Sequence, residues 1–201
     1  MTGSFLDEPA GTREEIMRAT YLALCEYGYA GLTVERIGEE FPKSKSLIYH
    51  HYEGKDDLLL DFLSFVIEYF EAEMPVGDAT GADARLEAVL DHVLVTPLPD
   101  RRRDFRRAMV ELRAQAAHDP EYREQFTRHD RFFRERIAAL VAEGVEAGVF
   151  RAVDPEAVAA MLNTTLEGAI AASVTTEDPP VEAVREQVDE YVRAVLHAGP
   201  E

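Results

Sequence analysis

At 201 residues the chain is long enough to bury a sizeable core in one or two domains, and with 46% hydrophobic residues it is not a disordered polymer. No apolar run reaches the ~18 residues of a membrane span, and the first residues have neither the charged leader nor the apolar core of a signal peptide. A cytoplasmic protein that stays off membranes is therefore expected, and its one cysteine, Cys25, excludes an internal disulfide.

The formal charge of −18 is spread along the chain rather than held in a tail, and only residues 101–136 are net basic. Eighteen arginines stand against three lysines, the surface expected of a halophilic protein in a salt-loaded cytoplasm. There the Debye length falls to ~3 Å at 1 M, so acidic self-repulsion costs little.

Thr12 to Tyr27 is expected to be the first helix. Thr12 and Glu15 have the spacing of a capping box. Ile16, Ala19, Thr20, Ala23, Leu24 and Tyr27 recur at helical spacing, and Gly28 stands where a left-handed cap is wanted. Cys25 reads as a small buried filler rather than a redox sensor.

Thr33 opens the next helix as its N-cap, with Val34 and Ile37 on one face. Pro42 closes it, because proline disfavours a helical residue before it. Ser44 is expected to cap a second short helix that carries Lys45 to Tyr52, and Gly54 punctuates its end. Lys43, Lys45 and Lys55, every lysine of the chain, fall between Thr33 and Lys55. That surface reads as one reserved for an anion.

Asp56 starts a helix to about Met74 whose apolar residues exceed one stripe, as suits a connector buried on several sides. Pro75 to Gly81 reads as a loop. Five helical segments follow: Ala82 to Val95, Asp100 to His118, Pro120 to Ala147, and two opened by Asp154-Pro155 and Asp178-Pro179, reaching about Val174 and Ala198. Strand-like alternation is missing, so the class is all-α.

Two short helices preceded by a capped one have the layout of a helix-turn-helix. Residues 13–63, about a quarter of the chain, resemble the DNA-binding region of the TetR family of transcription regulators. The resemblance is carried by Arg13-Glu-Glu-Ile16, Ala19, Gly28-Tyr29, Leu32-Thr33-Val34, Ile37, Ser44-Lys45, Ile48-Tyr49-His50-His51-Tyr52, Lys55 and Leu58-Leu59, in order and without gaps. Pro42 and Lys43 depart from the family's glycine and apolar residue at the turn, which requires a different turn backbone. Ser46 and Leu47 replace the usual small residues, so a borrowed base-contact scheme does not transfer.

The resemblance implies a helix-turn-helix domain over residues 1–55 and a helical effector-binding and dimerisation domain over 56–201. Lys45, Ser46 and Leu47 would face bases, Leu47 suiting a thymine methyl. Ser44 at the start of the reading helix, with Tyr49 and His50, would meet phosphate, and Thr33 and Lys55 would clamp the backbone. Tyr52 matches a packing position. The chain would be a homodimer binding double-stranded, pseudo-palindromic operator DNA and repressing transcription until an unidentified small-molecule effector releases it.

The same resemblance places an effector pocket among Phe62, Phe65, Phe105, Met109, His129 and Phe133, for each of which plain core is the alternative. It places a dimer seam on Val158, Met161, Leu162, Thr165, Leu166, Val188, Tyr191, Val192 and Val195, beside small residues Ala157, Ala160, Thr164, Gly168 and Ala171. Arg101, Arg102, Arg103, Arg106 and Arg107 read as a solvated, salt-bridged face, with an anionic effector as the alternative. His92 and His129 read as core histidines. Metal-ligand and nucleophile spacings are missing, so no cofactor, metal or enzyme chemistry is expected. The rival function is a helical sensor whose helix-turn-helix contacts a protein instead of DNA.

Overall fold

The computed structural model describes residues 9–72 and 81–197. Its helices are α1 (Thr12–Gly31), α2 (Val34–Glu40), α3 (Ser46–His51), α4 (Lys55–Ala72), α5 (Ala82–Val93), α6 (Asp100–Gln115), α7 (Pro120–Glu146), α8 (Pro155–Thr175) and α9 (Val181–Tyr191), the last continued by a π-helical turn over Val192–Leu196. Among the described residues there is no strand, only an isolated bridge between Phe150 and His197. Most of the expected Pro75–Gly81 loop, and the ends expected at Met74 and Ala198, lie outside the described residues.

Contacts gather the chain into two compact units, residues 1–72 with 99–127 and residues 73–98 with 128–201. In the first, Ile16, Met17 and Leu24 of α1, Ile37 of α2 and Ile48 of α3 share one core with Leu58, Leu59, Phe62 and Leu63 of α4, Leu112 of α6 and Tyr122 of α7. Helices of 7 and 6 residues such as α2 and α3 are marginal alone, so they need this borrowed surface. Each large apolar side chain buried there contributes about 1.5–3 kcal/mol. The compact unit therefore extends past the sequence division at residue 55, taking in α4, α6 and the start of α7.

Gly28 adopts φ 65°, the left-handed region expected of it, and breaks α1 there. The Glu111 carboxylate of α6 accepts the next amide, that of Tyr29, at 2.5 Å. A Cβ on Gly28 would stand 3.1 Å from that carboxylate, so the bend and the bond need glycine together.

The capping box at Thr12 does not form. Gly11 is the N-cap without a side-chain bond, Glu14 accepts the Ala10 amide at 2.7 Å, and Thr12 and Glu15 both turn to Lys43. Thr33 caps α2 as expected, accepting from the Arg36 amide at 3.2 Å. Asp154 caps α8 through the Glu156 and Ala157 amides, but the second Asp-Pro pair does not repeat the device: α9 starts after Pro180 with no side-chain cap.

The second unit centres on Leu86 and Leu90 of α5, Ile137 and Val141 of α7, Phe150, Leu162 and Leu166 of α8, Val188 of α9 and Leu196. Gly144 of α7 is buried because the Phe150 ring occupies the space a Cβ would need. Arg185 of α9 reaches Glu87, Asp91 at 2.9 Å and Asp189 at 3.3 Å, tying α9 to α5. The Arg185 side chain is 17% exposed while those of Glu87 and Asp91 are 50% and 68% exposed, so the network is only partly desolvated. Arg185→Met keeps the stem but leaves three carboxylates facing one another. We expect a loss of about 1–3 kcal/mol in urea unfolding, smaller at high salt.

Helix α8 is long and apolar enough, by length and composition, to cross a membrane, with 33% of its most apolar window buried in the chain. The helix qualifies on its average composition; Asn163 and Glu167 interrupt it, so no unbroken apolar run reaches ~18 residues. No other helix among the described residues meets that test.

Candidate nucleic-acid interface

The link between α2 and α3 contains no residue with positive φ; among the described residues only Gly28, Gly81 and Gly148 have one. Phe41 leaves α2 in extended conformation (φ −85°, ψ 125°), which accommodates Pro42 without the glycine of the common turn. Lys43 then fixes the turn to α1, bonding the Thr12 hydroxyl at 3.1 Å and pairing with Glu15. Lys43 is thus a structural pin.

Ser44 does not cap α3. Its hydroxyl meets that of Ser46 at 2.9 Å, and its carbonyl accepts the Leu47 amide at 3.0 Å, so the helix opens on a tight turn with Lys45 as N-cap residue. Ile48 is fully buried and Leu47 half-buried against the same core. Leu47 is therefore less available to a thymine methyl than its position implies. Ser44, Lys45, Ser46, Tyr49, His50 and His51 are exposed, Tyr49 to 53%.

The Lys45 stem lies over Gly38 of α2, where an added Cβ would come within 2.7 Å of its Cγ and Cδ. Lys55 packs its ammonium 4.3 Å from the Tyr29 ring centroid. Tyr49 donates its hydroxyl to Glu35 Oε1 at 2.9 Å. Among the described residues, Lys45 alone of the three lysines has neither an ion pair nor a ring contact.

The C-terminal end of α3 is held by a triad. Tyr52 donates to Asp61 Oδ2 at 2.6 Å, and Arg13 donates to both Asp61 oxygens at 3.0 and 2.5 Å. Burial pushes the Asp61 carboxyl up, but the bonds from Arg13 and Tyr52 outweigh it and hold the group below the usual carboxylate range. The sign follows by linkage: this stabilisation is complete above the unfolded carboxylate pKa near ~4 and is lost as pH falls through the lower folded value. Asp61→Asn should therefore lower stability by a constant amount from pH 6 to 8. In urea melts across pH the deficit should shrink below about pH 4.

Elsewhere the expected residues divide between the units. Phe62 is fully buried in the first core, with Phe65, Phe105 and Met109 packed against it; Arg13 covers the Phe65 ring at 5.3 Å, and Phe105 meets Tyr21 at 5.3 Å. His129 and Phe133, ring centroids 4.5 Å apart, belong to the second unit. His129 is half-buried, but His92 is exposed and is not a core histidine. Cys25 is half-buried rather than buried, and burial pushes its thiol up to about 11, leaving it protonated near neutrality.

In the arginine run, Arg103 pairs with Asp100 and Arg107 with Asp104, as a salt-bridged face requires. Arg106 is different: it is 8% exposed, and burial beside Arg102 pulls it down to about 10. No cluster of His, Cys, Asp or Glu placed to hold a metal occurs among the described residues.

The expected dimer residues mostly face inward. Val158, Leu162, Leu166, Val188 and Val192 are 0–7% exposed in the second unit's own core, and Tyr191 packs against it. Thr165 is half-buried, and the Val195 side chain lies outside the described residues. The physical reason is register: α8 turns its large aliphatics toward α9 and leaves the small residues outside. Ala157, Ala160, Met161, Thr164 and Gly168 are exposed along one face, and a Cβ on Gly168 would meet nothing within 4 Å.

Sequence reasoning missed Glu35, Gly38 and the Arg13–Asp61 pair. Arg13 and Asp61 are 48 residues apart and Glu35 and Tyr49 are 14 apart, beyond any intrahelical spacing rule.

Residues 16–62 match the family model of bacterial regulatory proteins of the tetR family, and residues 82–197 match the C-terminal model of BetI-type transcriptional repressors. The HTH-type transcriptional repressor AcnR of Corynebacterium efficiens is 30% identical over 171 residues, covering 84% of this chain and 85% of the relative. A crystal structure of a TetR transcription regulator from Haloarcula marismortui has 37% identity and a TM-score of 0.84, covering 92% of this chain and 98% of that one. A transcriptional regulator from Saccharomonospora viridis, solved in complex with choline, shares the fold with a TM-score of 0.80 at 21% identity, over 93% of this chain and 98% of that one.

Proposed function

The chain belongs to the TetR family of DNA-binding transcription regulators, which are not enzymes, and from that premise we propose how its own residues do the work. Two copies present α3 to successive major grooves of a pseudo-palindromic operator, with the reading helices about 34–36 Å apart. Lys45 and Ser46 approach base edges, while Ser44, Tyr49 and His50 bond phosphate oxygens. Residues 1–55 carry this reading surface and the remainder the effector and dimer functions.

The observation that carries the reading is the outer face of α3. Ser44, Lys45, Ser46, Tyr49 and His50 all stand exposed over the buried anchor Ile48, with Lys45 at the helix start. Selection of duplexes from a randomised pool in concentrated KCl tests it; recovery of a dyad-symmetric consensus is the expected result. Recovery of no consensus would favour the rival, a module docking on protein.

The dimer forms through the small-residue face of α8. Exposed Ala157, Ala160, Thr164 and Gly168 line one face of this largely apolar helix and let a second helix approach closely. A small molecule held among the core aromatics of the effector region releases DNA only to the extent that it prefers the DNA-free state. The acidic, lysine-poor surface suits concentrated salt. Counterion release yields little there, so affinity rests on short-range hydrogen bonds and varies gently with salt.

A further inference from the structure

Two of the groups assigned to the DNA backbone, Tyr49 and Thr33, meet one carboxylate of the chain itself. Glu35, in the first turn of α2, accepts the Tyr49 hydroxyl at 2.9 Å. Its own amide, then Tyr49, then the Thr33 hydroxyl bond this carboxylate, and the Lys45 charge adds attraction; together they hold it below the usual carboxylate range. Glu35 and Tyr49 are both exposed, so nothing in the core demands the bond. A carboxylate and a phosphate oxygen ask the same of a phenol: one accepted hydrogen bond on an anionic oxygen.

We propose that Glu35 is an internal phosphate mimic that limits operator affinity: its carboxylate occupies the anion position at Tyr49 and must leave before a backbone phosphate is bound. The proposal rests on the reading of Tyr49 as a phosphate contact. Binding then exchanges one bond to an anion for another, and Tyr49 contributes little net affinity while Glu35 is present. The displaced carboxylate also stays near the incoming phosphate, a like-charge cost that screening reduces as salt rises. Together these make the chain more selective, because an isolated phosphate contact on arbitrary duplex cannot offset the lost bond while a full set at the operator can.

The test uses the full-length protein, fluorescence anisotropy, and a duplex that the wild type selects from a randomised pool; failure to select any duplex would count against the reading itself, not against Glu35. Glu35→Gln is expected to tighten binding by about 3–10-fold at 0.1 M KCl, with a smaller gain at 1 M. Affinity for an unrelated duplex should rise at least as much, so the specificity ratio does not improve. Tyr49→Phe is expected to cost under about 2-fold in the wild type but roughly 5–10-fold in the Glu35→Gln background, because a neutral amide oxygen holds the phenol less strongly than a carboxylate and yields it to phosphate. Thermal unfolding of Glu35→Gln serves as the folding control and should match the wild type. Weaker binding by a folded Glu35→Gln would overturn the proposal, since Glu35 would then be holding Tyr49 in place or accepting from a base. Equal costs of Tyr49→Phe in the two backgrounds would overturn it as well.

Discussion

Ala160→Glu combined with Gly168→Glu should leave a folded monomer that no longer holds its operator. Both positions are exposed on α8, and a side chain at Gly168 has open space, so the second unit's core is untouched. Replacing a mid-helix glycine even favours the helix, by up to about 1 kcal/mol. In a paired copy, however, four carboxylates would be driven into a seam built for alanine and glycine, where an unpaired buried charge costs several kcal/mol. Sedimentation should show half the wild-type mass with unchanged helical circular dichroism. Because two linked half-sites bind far more tightly than one, operator affinity should fall on the order of 100-fold or more. A variant that remains dimeric would place the seam elsewhere, and an unchanged monomeric wild type would remove it.

Lys45→Ala is the second large effect. Lys43 is tied to Glu15 and Thr12, and Lys55 to the Tyr29 ring, so the proposed reading puts the cationic work on Lys45. A charge-assisted bond lost in each subunit predicts a weakening on the order of 10- to 100-fold, without a change in thermal stability. Gly38→Ala is the companion: it leaves Lys45 present but pushes its stem off α2, and should reproduce part of the loss. A full effect of Lys45→Ala with none from Gly38→Ala would mean the ammonium finds its site from either stem position.

The helices were legible because each carries its own periodicity and punctuation. Gly28 takes the positive φ its place suggests, Thr33 and Asp154 cap, and Pro42 ends α2. What could not be read was which partner a polar group would choose. Thr12 and Glu15 have capping-box spacing, yet a lysine 31 positions from Thr12 competes for both and wins. Ser44 had the composition of a cap but bonds its neighbour Ser46.

Facing was the other blind spot. The apolar and small residues of α8 interleave, and periodicity gives two stripes without saying which meets the chain's own α9 and which is left for a partner. Val158, Leu162 and Leu166 went inward, leaving Ala157, Ala160 and Gly168 outside. The run of arginines misled in the same way. Arg103 and Arg107 pair along the helix, but the turn of α6 carries Arg106 into the interior. On the proposed DNA-facing surface the residue types single out α3, while the bond from Tyr49 to Glu35 appears only when α2 and α3 are packed.

Hydroxyl-radical footprinting of the wild type on a duplex it has itself selected, in concentrated KCl, probes the central claim most directly. Two protected windows related by a dyad and centred about one helical turn, 34–36 Å, apart are expected, both fading with Lys45→Ala. A single window, or protection that survives the loss of Lys45, would contradict a paired reading head built on α3.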